Sequence, residues 1–402
     1  MRKASLLIIL FAGLLIFSGC NKEKGTDTEI INVGALLSIT GNWSTLGQTS
    51  QSAMEIAVED INRHMEAIGS RHRFAVEVYD TKMEAPLALE SLQLAKENGI
   101  QFIIGPQSSS EVAAIKSFAD ANDLFIISQG STAGSLSIPN DNIFRFCPDD
   151  RLEGKALAKT IYDSGIRGLV TTGLDDVGNT GLINGIITAF TELGGVVFAV
   201  PPYATGTSDF AAVITELENR TNMAISQFGP NASAVYIAAF DEGADLFAQA
   251  NGNSLLSSVN WYGGDGITKS SAYINNTAAA EFAIQTNFFA PEFGLPEASA
   301  SKWAPLIAEI KSRTGGIEAG AFALACYDAL WTIANTYEAT EVYGHDAISV
   351  RTAFAEEASK YEGVTGPTTL NENGDRATAI FDYWGIVQDN GTFTWKLIGA
   401  SE

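Results

Sequence analysis

The chain has 402 residues, 46% of them hydrophobic and 18% charged, an ordinary globular composition and more than one compact core normally fills. Small disulfide scaffolds, collagen-like fibres and disordered tails are thereby excluded. Acids outnumber bases 47 to 24, a formal charge of -23, and no Lys/Arg-rich run offsets it, so a nucleic-acid partner is excluded as well.

Arg2 and Lys3 precede the uncharged run Ala4 to Phe17. This run is too short for a comfortable membrane span and has the length of a secretory apolar segment. It ends in Phe17-Ser18-Gly19-Cys20, and small residues ahead of a Cys resemble the lipobox of prokaryotic lipoproteins, in which Cys20 would become the diacylated N-terminus. A general leader with a chance Cys is the alternative. Residues 1-19 are therefore expected to be a signal peptide and the polar stretch 20-28 a tether. With Cys20 lipidated, Cys147 and Cys326 are expected to be buried thiols, because nothing local positions them as a pair. No CxxC or HExxH occurs and the chain has three His, so neither a metal site nor a cofactor is expected.

The fold begins with a strand-like run, Ile30 to Ser38, a Gly-bounded loop, Ile39 to Gly47, and a helix-period segment, Ser50 to Met65. Strand Phe74 to Tyr79, helix Ala85 to Asn98, strand Ile100 to Ile104, helix Glu111 to Ala121 and strands Leu124 to Ile127 and Ile143 to Phe146 follow. Helix Leu152 to Ser164, strand Gly168 to Thr172 and helix Thr180 to Leu193 continue the alternation, with further units at 195-200, 210-219, 234-239, 243-250 and 259-262. Strands separated by helices predict parallel sheets with right-handed crossovers, hence the α/β class. One sheet would need too many strands, which predicts two doubly wound Rossmann-like lobes.

The most informative segment is a buried strand followed by Gly105-Pro106-Gln107-Ser108-Ser109-Ser110-Glu111 and an amphipathic helix. Ser108 and Glu111 have the spacing of a capping box, which alone accounts for those two. The triplet also puts hydroxyls and free N–H groups at a helix start at the carboxyl end of a parallel strand, where such sheets bind anions. The turn Ser128-Gln129-Gly130-Ser131-Thr132-Ala133-Gly134 does the same after the next strand, with Gly130 allowing close backbone approach. Two donor-rich turns at one sheet edge predict a site for a small carboxylate.

Val33-Gly34-Ala35-Leu36-Leu37-Ser38 with Thr40-Gly41 and Leu46-Gly47, Gly105 to Ser110, Gly130 to Ala133, Trp261-Tyr262-Gly263-Gly264-Asp265-Gly266, Gly366-Pro367 and Asn371 to Asp375 give the chain a likeness that runs almost to its end. It resembles the leucine/isoleucine/valine-binding type of periplasmic solute-binding protein, whose fold also forms the ligand-binding modules of metabotropic glutamate receptors. The resemblance implies two lobes joined by a three-crossover hinge, near Phe146 to Asp150, Gly263 to Ile267 and Tyr383 to Ile386, so that 29-147 with 267-382 form one lobe and 148-266 with 383-402 the other. It implies that Ser109 and Ser110, with the Thr132 amide, meet a ligand carboxylate, that the Gly130 carbonyl and Thr132 hydroxyl face an ammonium, and that Ser131 belongs to the same turn. It further implies Asp265 and Glu242 as acids for that ammonium, and Asp150 as another ligand contact. An N-cap at Asp150 and a plain turn at Asp265 remain alternatives. Leu46 and Val177 stand where the family often has Tyr, and Trp43 either lines the side-chain pocket in their place or packs at the loop base. Asn371 to Asp375 lacks the terminal Glu of a calcium loop and reads as a β-turn.

No GxSxG elbow, Walker loop or complete GxGxxG is present, so catalysis is not expected. The resemblance implies a monomeric, lipid-anchored, extracytoplasmic receptor that delivers a small amino acid-like ligand to an ABC permease. An aromatic acid, amide or nucleoside ligand, or a sensory role, is the alternative.

Overall fold

In the computed structural model, which describes residues 28-343 and 347-401, the apolar run that starts the fold becomes β1 (Glu29–Leu37), an inner strand of a parallel sheet. The proposed leader, Cys20 and most of the tether lie outside the described residues. The first lobe continues with α1 (Ser44–Ala67), β2 (His72–Asp80), α2 (Ala85–Glu97), β3 (Phe102–Ile104), α3 (Ser109–Ala121), β4 (Phe125–Ser128) and β5 (Ile143–Arg145). Its five strands run in the order β2-β1-β3-β4-β5, all parallel. Alternate residues face opposite sides. Ile103, Ile126 and Leu36 pack on Leu92, Val112 and Ile115 of α2 and α3, while Phe102, Phe125 and Phe144 turn to the other face.

The second lobe holds α4 (Asp150–Asp163), β6 (Gly168–Gly173), α5 (Val177–Glu192), β7 (Val196–Ala199), α6 (Ala211–Phe228), β8 (Ser233–Ala238), α7 (Gly243–Ala250), β9 (Asn260–Gly263), α8 (Ser271–Asn275), α9 (Thr277–Gln285) and β10 (Phe289–Phe293). The chain then returns through α10 (Ala300–Arg313), α11 (Ala321–Tyr343), α12 (Ala347–Lys360) and the two-residue strands β11 (Glu362–Gly363) and β12 (Gly366–Pro367). It finishes on β13 (Phe381–Asp389) and β14 (Thr392–Ala400), which complete a seven-stranded sheet ordered β14-β13-β10-β9-β8-β6-β7. Helices α11 and α12 cover the aromatic face of the first sheet, where Phe354 meets Phe102, Phe144 and Phe146. In the second lobe Phe247 makes edge-to-face contacts with Trp261, Tyr273, Phe282 and Phe288. Such pairs contribute beyond their buried area.

The first connection falls where expected, between β5 and α4. The other two do not. Strand β10 pairs antiparallel with β13 from Phe289↔Gly385 to Phe293↔Phe381 and touches β9 at Phe289↔Tyr262, so 267-293 belongs with the second lobe's sheet rather than the first. The second connection follows Phe293, and the third precedes Phe381 rather than lying at Tyr383 to Ile386. Pro291 disguises β10 in the sequence, because Pro donates no ladder bond. It is tolerated because the pairing with β9 stops at Phe289. Helix α1 likewise starts six residues before the expected Ser50, because Trp43 adopts a left-handed conformation (φ 58°) that turns the Gly41-Asn42 loop directly into the helix. Cys147 and Cys326 are both buried free thiols, as expected.

Candidate functional site

The two donor turns meet at the top of the first sheet. Ser108 caps α3 in a reciprocal box: its Oγ accepts from the Glu111 N–H at 3.3 Å, and Glu111 Oε2 accepts from the Ser108 N–H at 3.2 Å. The N–H groups of Ser109 and Ser110 have no acceptor from within the helix, as at any helix start. Ser109 Oγ accepts from Ser131 Oγ at 3.0 Å and from the Ala133 N–H at 3.2 Å, which ties the second turn to the first. Ser131 thus holds the wall together, its own N–H donating to Ser128 Oγ. Gly130 is obligatory: a Cβ there would lie 2.9 Å from the Gln107 carbonyl oxygen and 3.2 Å from the Trp43 ring.

Behind this wall lies Arg145, 1% exposed. Its Nη1 donates to the carbonyls of Ser131 (3.1 Å) and Ala133 (2.7 Å), its Nε is paired with Asp375, and its Nη2 lies 3.6 Å from Asp149. Asn371 to Asp375 form the expected turn, Asn371 Oδ1 accepting from the N–H groups of Asn373 and Asp375. The work of that turn is to present Asp375 to Arg145. Sequence reasoning missed this residue, although an Arg inside the apolar strand Ile143–Arg145 was a signal, since buried charges are paired ones.

Beside these turns stand the acids of the second lobe. Asp149, not Asp150, is the N-cap of α4, accepting from the Arg151 N–H at 2.8 Å. Asp150 is instead the first helical residue, 1% exposed, its N–H donating to the Thr132 carbonyl at 2.9 Å. Gly181 of α5 makes room for it, since a Cβ there would sit 2.2 Å from Asp150 Oδ2. Burial, then the neighbouring Asp265, push the Asp150 carboxyl well above the usual range, with the Thr132 side chain and Arg145 pulling the other way. Asp265, in the turn after β9, is pushed up to about 7 by burial, partly offset by Glu153 and the Gly266 N–H. Glu153, one helical turn beyond Asp150, completes the group; it too was missed, although an (i, i+3) acid shares a face with Asp150.

Glu242 is engaged within the protein. Its oxygens accept from Asn42 Nδ2 (2.8 Å), Tyr203 Oη (3.0 Å) and the Phe240 N–H, so it is spoken for by the protein itself. Asn42 Oδ1 in turn accepts from the Asp241 N–H (3.0 Å), and Asp241 Oδ2 accepts from the Ser44 N–H (3.2 Å). The Val177 N–H donates to Ser110 Oγ at 3.2 Å. These bonds join the lobes. Trp43 also faces Phe240 across the cleft with ring centroids 4.7 Å apart, and Gln107 Nε2 holds the Trp43 carbonyl at 2.9 Å. Trp43 therefore lines the cleft rather than only the loop base. Ser109, Gly130, Thr132, Gly178, Leu182 and Asp265 complete a space of about 10 Å³, barely enough for one water. A wider open groove of about 890 Å³ runs along α4 and α5 and reaches the cleft at Gly134 and Asp150.

The model of the receptor family ligand binding region matches residues 49–389. The chain belongs to that family. Its fold is that of the type I periplasmic binding proteins. The branched-chain amino acid substrate-binding protein LivJ of Streptococcus pneumoniae, solved with isoleucine, superposes with a TM-score of 0.71 at 19% identity, over 92% of this chain and all of that one. A solute-binding protein from R. palustris in complex with benzoate gives the same TM-score at 16% identity over 92% of this chain and 96% of its own. Over almost the whole sequence, 98% of this chain and 96% of the relative, it is 28% identical to the uncharacterised protein MJ1266 of Methanocaldococcus jannaschii.

The interlobe bonds carry a prediction. Asn42→Ala removes two hydrogen bonds that exist only while the lobes are together, and each contributes about 0.5 to 3 kcal/mol, more when the partner is charged. The variant should fold with unchanged stability within each lobe yet populate a more open form, visible as a larger radius of gyration in small-angle scattering. An unchanged scattering profile would show that these bonds do not set the balance.

Proposed function

We propose that this chain is an extracytoplasmic, lipid-anchored solute-binding protein that captures a free α-amino acid between its lobes and delivers it to an ABC permease. One observation carries the ligand class: the donors Ser109 and Thr132 and the acid Asp265 line one enclosed space between the lobes, with the buried Asp150 beside Thr132, its N–H donating to the Thr132 carbonyl at 2.9 Å. A zwitterion needs donors at one end and acids at the other, and charge-assisted bonds are the strong ones. A ligand that is only a carboxylate, such as an aromatic acid, would use the donors but be repelled by the acids. Trp43, Leu182 and Phe240 contribute apolar surface to the space between the lobes, where the ligand side chain would lie once the lobes part and close around it. The lobes must part to admit a ligand and close again by a hinge.

Calorimetry of the wild-type protein against the standard amino acids, and against the des-amino analogue of the tightest binder, tests the reading. An amino acid should bind and its analogue should bind far more weakly. Tighter binding of the analogue would overturn it in favour of the acid-binding alternative. For the anchor, Cys20→Ala should move the protein from the membrane fraction to the soluble one, since a diacyl form adds about 0.8 kcal/mol per buried CH₂. Equal membrane retention of the variant would exclude lipidation at Cys20.

A further inference from the structure

Consecutive residues around the start of α1 meet the second lobe. Asn42 bonds Glu242 and Asp241, Trp43 faces Phe240, the Ser44 N–H donates to Asp241, and Thr45 Oγ1 accepts from the Ser271 N–H at 3.1 Å. Trp43 presents them from an unusual backbone: its φ of 58° is left-handed, which a bulky residue keeps only where its surroundings hold it there. Part of that hold is Gln107, which is 0% exposed. Its Nε2 donates to the Trp43 carbonyl at 2.9 Å, and its Oε1 accepts from the Ser38 N–H at 3.2 Å, just beyond β1. Ser38 Oγ in turn reaches the carbonyls of Thr40 (2.9 Å) and Asn42 (2.7 Å). One amide and one hydroxyl thus grip the loop from β1 to α1. Gln107 also belongs to the donor wall, since it immediately precedes the Ser108 cap and Ser109, and its carbonyl oxygen abuts Gly130. Before a helix cap an apolar residue is the usual choice, because it packs onto the helix. A fully buried amide departs from that rule, and such departures gather at functional sites.

Building on the amino-acid reading above, we propose that Gln107 is a positioning residue that couples capture of the ligand carboxylate to closure of the lobes. A ligand held by the Ser109 and Ser110 donors fixes the segment that carries Gln107. Through its amide that segment fixes the Trp43 carbonyl, and with it the groups of Asn42, Ser44 and Thr45 that meet the second lobe. Ligand and closing contacts then favour the same placement of residues 42-45, so each stabilises the other. The role needs an amide: one end must donate to Trp43 and the other accept from Ser38, whereas an ionised Glu has no donor and Met offers neither bond.

The test uses Gln107→Met, which removes both bonds without adding charge, and Gln107→Glu, which keeps the acceptor for Ser38 and turns an oxygen toward the Trp43 carbonyl. Each is made alone and combined with Asn42→Ala, and the probe is the tightest-binding standard amino acid. Both single variants should bind it about tenfold or more weakly than wild type, the scale of a lost buried hydrogen bond. In the Asn42→Ala background the same substitutions should weaken binding by only about threefold or less, because part of the contact they act through is already gone, whereas independent effects would multiply in full. Without ligand, Gln107→Met should enlarge the radius of gyration in small-angle scattering, as Asn42→Ala does. A loss carried in full into the Asn42→Ala background, or an unliganded scattering profile identical to wild type, would overturn the proposal and leave Gln107 a support of the donor turn alone. If Gln107→Glu fails to fold, Gln107→Met gives both readings. The two proposals fail separately: a wild type that binds no amino acid, with Gln107→Met still expanded, counts against the ligand class alone.

Discussion

Asp265→Ala should abolish the preference for ligands that carry an ammonium while leaving carboxylate recognition in place. The carboxylate lies at the end of a turn whose backbone is fixed by the Ile267 and Thr268 N–H groups donating to the Gly264 and Asp265 carbonyls, so removing the side chain should not rearrange the wall. Truncating one partner of a buried, hydrogen-bonded charge pair costs about 2 to 5 kcal/mol, equivalent to roughly 30-fold to several thousandfold in affinity. The des-amino analogue never meets this acid favourably and should bind the variant as well as, or better than, the wild type. Titration supplies a second signature. Because the unliganded Asp265 carboxyl is pushed up to about 7, it is protonated below that pH, and an ammonium ligand must bind the ionised form. Affinity should thus fall as pH drops below about 7, by up to about tenfold per unit for one coupled proton, and stay level above it. Asp265→Ala should lose that dependence. Calorimetry at pH 5, 6, 7 and 8 on both proteins reads both effects, and an amino-acid affinity unchanged within twofold would remove Asp265 from the ligand's surroundings.

How far the sequence disclosed this site depended on the range of the interactions involved. Local signals carried: the Ser108 and Glu111 spacing forms the capping box it predicts, and the helix and strand periodicities place the Ser109 and Thr132 turns at one sheet edge. The resemblance drew attention to Asp150 and Asp265, and both are buried in the structure, Asp150 at the first position of α4 and Asp265 in the turn after β9. Glu153 escaped notice because an acid on an amphipathic helix reads as a solvated face, and only the approach of the Asp265 turn buries it. The bonds that Glu242 makes across the lobes were hidden for a similar reason. Nothing local indicates that Asn42, two hundred positions earlier, occupies its carboxylate. The second and third connections were misplaced because β10 and β13 join the second sheet through antiparallel pairing to each other, a contact between segments some ninety residues apart.

The largest stability effect is expected behind the turn that carries Thr132, at Asp375. This residue is 1% exposed and is the ion-pair partner of Arg145, which is equally buried. Removing one member of such a pair leaves an uncompensated charge in a medium that solvates it poorly, at a cost of about 3 to 5 kcal/mol. Asp375→Ala should therefore lower the urea midpoint substantially. Arg145→Met alone should also destabilise, since the Ser131 and Ala133 carbonyls lose their donor and Asp375 its cation. The double variant Arg145→Met/Asp375→Leu distinguishes a charge effect from a packing one, because replacing both charges with apolar groups removes the unpaired ion. If the ion pair matters through its charges, the double variant should be more stable than Asp375→Ala by a clear margin. It should nevertheless bind ligand more weakly, because no guanidinium then fixes the turn that carries Thr132. Equal urea midpoints for the single and double variants would mean that the cost lies in the shape of the Asn371 to Asp375 turn and not in the charge it presents.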